Sequence, residues 1–69
     1  MVDTQYLESV IEKSGKKKAY LAEKCGCSVQ SLRLKITGAY DFTTSQVDIL
    51  CAELGIEKPD EMKKIFFKK

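Results

Sequence analysis

The side chains suited to chemistry in this 69-residue chain fall into two groups. Lys16, Lys17 and Lys18 form a run of three ammonium groups, and Gln30, Arg33, Leu34 and Thr37 follow one another at close to helical spacing. Clustered ammonium groups attract polyanions, phosphate above all. Arg and Gln carry forked polar groups that match the guanine and adenine edges in the major groove of duplex DNA. These residues suit recognition of a polyanion rather than bond-breaking. There is no histidine, so His-based acid–base catalysis and His-ligated metals are excluded. No nucleophile–base pair, phosphate-binding glycine loop or metal cluster is visible in the sequence. We therefore expect no enzyme, no cofactor, no metal and no small-molecule substrate.

The three cysteines fit that reading. Cys25, Cys27 and Cys51 are an odd number and cannot all pair within one chain. Cys25 and Cys27 are spaced C-x-C rather than C-x-x-C, and no second pair completes a four-ligand zinc site. They read as small buried hydrophobes in a reducing compartment. The N-terminal residues lack the basic and apolar regions of a signal peptide, and no apolar run approaches the roughly 20 residues of a membrane span. The expectation is a cytoplasmic domain with no membrane contact. A hydrophobic content of 43% argues against disorder. At this length the whole chain, 1–69, makes one domain, and domains this small bury only about 60% of their unfolded surface.

Charge is informative in blocks. The formal net charge is +2, but residues 13–35 hold Lys13, Lys16, Lys17, Lys18, Lys24, Arg33 and Lys35 against Glu23 alone, a net of +6. The flanking segments 1–12 and 36–57 are acidic, at −3 and −4, and 58–69 is again basic at +3. Nucleic acid is the natural partner of such a basic middle third. The plain alternative is a solvated lysine face that keeps the protein soluble.

Positioning these residues falls to short helices, whose start and stop signals are dense. Asp3 is placed to cap a first helix, with Val2 stapling onto Leu7, an apolar stripe of Leu7, Val10 and Ile11, and Gly15 as its stop. A second helix over about 17–25 buries Leu21, Ala22 and Cys25 and ends at Gly26. Ser28 caps a third that runs to about Thr37, with Leu32 and Ile36 inward and Gly38 beyond. Thr43 and Gln46 form a capping box for a fourth, and Phe42 can staple to Val47. Val47, Leu50, Cys51 and Leu54 then recur at helical spacing, with Gly55 as the stop and Ile56 beyond. Pro59 opens a fifth with Asp60 and Glu61 in its first turn and Met62, Ile65 and Phe66 inward. Sustained two-residue alternation is absent, so the expected fold is all-α, a compact bundle of about five short helices. Residues 64–68 alone alternate in a way that also suits an extended segment.

Helical geometry selects the exposed face of the third helix. At about 100° per residue from Leu32, Ile36 falls near 40° and marks the core side, while Gln30, Arg33, Leu34 and Thr37 fall between about 100° and 200°. That opposite arc suits the major groove, where Leu34 either touches a thymine methyl or packs on a neighbouring helix. Val29 lies near the core side by angle but on the first turn. Ser28 is a cap and a further candidate base contact. Lysines at a helix N-terminus oppose its dipole, a conflict that bound phosphate reverses. Lys16, Lys17 and Lys18 are therefore candidate phosphate contacts, with Lys35, Tyr40, Thr43 and Thr44 as further ones.

The second and third helices meet at Cys25-Gly26-Cys27-Ser28. Together with Leu21-Ala22-Glu23-Lys24, Leu32 and Gly38, this arrangement resembles the helix-turn-helix of the lambda-repressor, Cro and XRE group. The string from Ser31 to Gly38, then Phe42, Gln46, Leu50-Cys51 and Leu54-Gly55-Ile56, looks like the small Cro-like phage regulators. Two positions depart from that pattern. Lys17 and Lys18 stand where the family has a capping Thr or Ser followed by Gln, which leaves the cap lost or shifted to Ser14. Lys35 stands where the family has an apolar residue, and Ile36 takes over the core position. The resemblance implies a sequence-specific transcriptional regulator, a repressor that occupies an operator with its third helix in the major groove. It also implies contacts to the sugar–phosphate backbone from the start of the second helix.

Such proteins dimerise on half-sites about one helical turn apart. Ile65, Phe66 and Phe67 are the candidate dimerisation residues, flanked by Lys63, Lys64, Lys68 and Lys69. If the segment is helical, Phe67 is left pointing away from the core. If it is extended, strand pairing between two copies becomes available, as in some Cro proteins. The expected assembly is a weak homodimer, formed in solution or only on DNA. The competing reading is a helical protein-interaction module, or an anti-repressor with the same fold, that does not bind DNA.

Overall fold

Backbone punctuation, residue by residue, divides the chain into five helices: α1 (Thr4–Ser14), α2 (Lys18–Cys25), α3 (Val29–Ile36), α4 (Thr44–Leu54) and α5 (Pro59–Phe66). The structure, a computed structural model, describes residues 2–67. No strand occurs among them, and no helix is long and apolar enough to cross a membrane. The fold is all-α, as the sequence leads one to expect.

The caps are satisfied locally. Asp3 Oδ1 accepts from the Tyr6 amide at 3.2 Å and Ser28 Oγ from the Ser31 amide at 3.0 Å. Thr43 and Gln46 form the full capping box, with the Gln46 amide donating to Thr43 Oγ1 and the Thr43 amide to Gln46 Oε1, both at 3.1 Å. α2 and α5 lack such a cap, α5 starting with Lys58 before Pro59. Lys17 takes the N-cap position of α2 and offers no side-chain acceptor. Ser14 does not replace it, because its Oγ accepts from the Lys16 amide and donates to the Ile11 carbonyl. Between α2 and α3 the chain reverses at Gly26, whose φ of 72° is left-handed and costs a residue without Cβ little. The Cys27 amide reaches back to the Ala22 carbonyl at 3.0 Å, closing the turn.

The core draws on every helix. Leu7, Leu21, Leu32, Leu50 and Ile65, one from each of α1 to α5, are completely buried, and Ile36, Ala22, Val47, Ile56 and Phe66 fill the space between them. α2 packs on both α3 and α4, while α1 touches α3, α4 and α5. Phe42 meets Phe66 edge to face, with ring centroids 5.4 Å apart. Val2, Val10, Cys51, Leu54 and Met62, expected inside, are half-buried against this core. Two tertiary bonds fix the N-terminal segment: Thr4 Oγ1 donates to the Ile36 carbonyl at the end of α3, and the Asp3 amide to the Ile65 carbonyl of α5.

The end of the chain resolves the helix–strand alternative. Residues through Phe66 are helical, so the extended form of 64–68 is not adopted over its described part. Lys68, and with it Lys69, lies outside the described residues. Ile65 and Phe66, two of the three candidate dimerisation residues, belong to the domain's own core, at 0% and 4% exposure. The helical period puts both on the inner face and leaves Phe67, 57% exposed, as the apolar surface residue there.

Candidate nucleic-acid interface

Burial of Leu32 and Ile36 fixes the rotation of α3, and everything on the opposite side follows from it. Gln30, Arg33 and Thr37 are exposed. Val29 is half-buried against the core, which resolves its ambiguous angle in favour of packing. Ser28 lies at the start of the same face with its Oγ engaged as the cap. Leu34 is half-buried and outside the buried core. Its carbonyl accepts from Thr37 Oγ1 at 2.9 Å and from the amides of Ala39 and Tyr40. These bonds fold the chain after α3 back on the helix end, and Tyr40 stands at the surface there, 57% exposed.

The three lysines at the start of α2, identical in type and adjacent in sequence, have three different fates. Lys16 turns towards the C-terminal end of α4, where its Nζ donates to the Glu53 carbonyl at 2.6 Å and to Glu53 Oε1 at 2.9 Å. A cation at that end of a helix meets the negative pole of its dipole. Tyr20 donates its hydroxyl to the same carboxylate at 2.9 Å, and the ammonium groups of Lys16 and Lys24 lie 5.7 and 5.5 Å from the Tyr20 ring centroid. Hydrogen bonds from Lys16 and Tyr20 hold the Glu53 carboxyl below the usual glutamate range. Lys16, expected to meet phosphate, is thus committed to an internal partner. Lys17 is exposed at the uncapped start of α2. Lys18 pairs with Glu8 of α1, Nζ to Oε1 at 2.9 Å.

Lys18 also brings the two groups of candidate residues together. A shallow cleft is lined by Glu8, Lys18, Arg33, Ile36 and Thr37, and a second one beside it by Glu8, Glu12, Lys16, Lys17 and Lys18 among others. The exposed face of α3 and the basic start of α2 therefore form one continuous surface. Glu8 on that surface was not anticipated. It lies ten residues before its partner, a separation that carries no local signal.

A third cluster sits at the start of α4. Lys35 Nζ donates to Gln46 Oε1 at 2.6 Å, the oxygen that also accepts from the Thr43 amide, while Gln46 Nε2 donates to the Cys25 carbonyl at 3.3 Å. One side chain thus joins the ends of α2, α3 and α4, and it places Lys35 beside Thr43 and the exposed Thr44. The capping-box spacing marked Gln46 as a helix start but gave no hint of Lys35. Tyr40 is linked to α3 rather than to this cluster. The cysteines are free thiols: Cys25 is buried, Cys27 and Cys51 half-buried. Burial raises the thiol pKa of Cys25 and Cys51, which disfavours their thiolate forms.

Comparison with protein-family models, curated proteins and solved structures finds no match to the chain.

The Glu53 cluster predicts an acid dependence. Because the carboxyl titrates lower when folded, its contribution to stability is complete above the ordinary glutamate pKa of about 4.3 and is lost as pH falls through the lowered folded value. Urea unfolding midpoints should fall less steeply for Glu53→Gln than for the parent protein between about pH 5 and pH 3. Parallel pH profiles would show that Lys16 and Tyr20 do not hold this group.

Proposed function

We propose that the protein is a sequence-specific, double-stranded DNA-binding transcriptional regulator of the Cro-like helix-turn-helix kind, working in the cytoplasm by occupying an operator. The observation that carries this reading is the shared cleft of Lys18, Arg33 and Thr37. It joins a phosphate-type cation on α2 to the polar face of α3, while Leu32 and Ile36 lock that face outward. The sequence resemblance to the lambda-repressor, Cro and XRE group supports the same conclusion independently of the cleft.

In this reading α3 enters the major groove with Gln30, Arg33 and Thr37 towards base edges and Leu34 against a thymine methyl. Ser28 and Val29 contribute at the rim of the first turn, limited by capping and packing respectively. Lys17 and Lys18 meet the sugar–phosphate backbone on one side, and Lys35, Thr43 and Thr44 meet it on the other. Tyr40 is a further phosphate donor from the loop after α3. Lys16 stays with Glu53 at the margin of this surface.

Selection from random duplexes followed by gel-shift titration is the direct test. Absence of salt-dependent duplex binding at about 50 mM salt would instead favour the helical interaction module. On the selected site, Arg33→Ala should lower affinity by about 1–3 kcal/mol and relax the preference at one base pair. An unchanged preference at every position would refute the placement of Arg33. Replacing Lys17 and Lys18 together with Ala should weaken all duplexes about equally. The slope of log K against log[salt] should become shallower by about 0.9 for each lost phosphate contact that released a counterion.

One α3 reads only a few base pairs, so the reading includes a weak homodimer on two half-sites. Phe67 carries it, because it borders a groove lined by Val2, Phe42, Val47 and Phe66, with Gly38 and Asp41 also on its wall. Phe67→Ala should weaken operator binding while leaving the unfolding midpoint nearly unchanged. One protein per operator at saturation, whether or not Phe67 is present, would rule the dimer out.

A further inference from the structure

Glu8 is the one acidic residue that lines both clefts of the basic surface without being needed by a phosphate-binding face. Its Oε1 and Oε2 lie 2.9 and 3.1 Å from Lys18 Nζ, so both carboxylate oxygens engage the ammonium group. With Lys16 turned to Glu53, Lys17 and Lys18 are the ammonium groups left at the start of α2, and one of these two is already neutralised. The pair is partly solvated, with side chains 31% and 44% exposed. Ion pairs of that kind are weak and exchange partners readily.

A phosphate that approaches Lys18 must take the place of Glu8. The displaced carboxylate then remains beside the polyanion, where like charges repel. Charge balance makes the consequence specific. Lys18 displaces the cation condensed on the phosphate into solution, and the freed Glu8 carboxylate, left beside the polyanion, holds a cation in turn, so this contact releases almost no net counterion. We propose, resting on the DNA-binding reading above, that Glu8 is an intramolecular competitor of phosphate for Lys18, a positioning residue that holds down sequence-independent DNA binding. Specific complexes overcome it through base contacts from α3 that random sequences do not supply.

The test is a salt titration of a random duplex with the parent protein and two variants, Glu8→Gln and Glu57→Gln. The second removes the same unit charge from the segment between α4 and α5. Glu8→Gln should bind about 3–10 times tighter at about 50 mM salt, with a slope of log K against log[salt] steeper by about 0.9, because the Lys18 contact now releases its counterion. Glu57→Gln should change affinity less and leave the slope alone. In a Lys18→Met background, Glu8→Gln should lose its effect, since the competitor then has nothing to compete for. Equal effects of the two glutamate variants would overturn the proposal while leaving DNA binding standing, as would a Glu8→Gln effect that persists without Lys18. No binding of any variant to any duplex would overturn the DNA-binding reading itself, and this proposal with it.

Discussion

Burial of one aliphatic side chain from each helix is the constraint on which the rest of this structure depends. Leu7, Leu21, Leu32, Leu50 and Ile65 are each withdrawn completely from water. A chain of this size has little apolar surface to spare. No helix here is long enough to be stable alone, since isolated helices shorter than about 12–15 residues are marginal in water. Each holds its shape because its inward residue is packed by the other four. The rotation of α3 is set the same way. Leu32 and Ile36 have no other place to go, so Gln30, Arg33 and Thr37 must face outward.

Polar side chains then convert this packing into a fixed surface. Gln46 closes the start of α4, reaches the end of α2 through the Cys25 carbonyl and restrains Lys35 of α3. Thr4 satisfies a carbonyl at the end of α3, and the Asp3 amide one of α5. Such bonds add modestly to stability one at a time, but a buried carbonyl left without a donor costs more than a made bond gains. Their effect is to hold the ends of α2, α3 and α4 at fixed spacing.

The basic block of residues 13–35 is divided by this architecture into working parts. Lys16 and Lys24 flank Tyr20, with Lys16 held by Glu53 at the end of α4, on the wall of the cleft it shares with Lys17 and Lys18. Lys17, Lys18 and Lys35 remain on or beside the surface that carries Arg33, and two of the three already have a protein partner. The acidic first twelve residues are not simply a separate block. Through Glu8 they reach into the basic surface and temper it. A near-neutral net charge therefore coexists with a strongly polarised surface whose strength is set by pairing as much as by lysine number.

Much of the fold was legible in the sequence because its signals are local. Asp3, Ser28 and Thr43 lie three residues before the amides they cap, and Gly15, Gly26 and Gly55 stand where the left-handed stops occur. Those relations are fixed by backbone geometry over four or five residues, so the element boundaries follow from spacing alone. The same holds for the inward positions of α3, which helical period dictates. The choice between helix and strand at the chain end was not local, because Ile65 and Phe66 suit either form until a core exists to receive both. The fate of the lysines was not local either. Lys16 finds Glu53 at a separation of 37 residues, Lys18 finds Glu8 at 10 and Lys35 finds Gln46 at 11. A lysine carries its charge on a flexible four-carbon stem, so its partner is whichever carboxylate or carbonyl the packed helices bring within reach. Sequence determined where the helices begin, end and face; tertiary packing decided which charges on them are free.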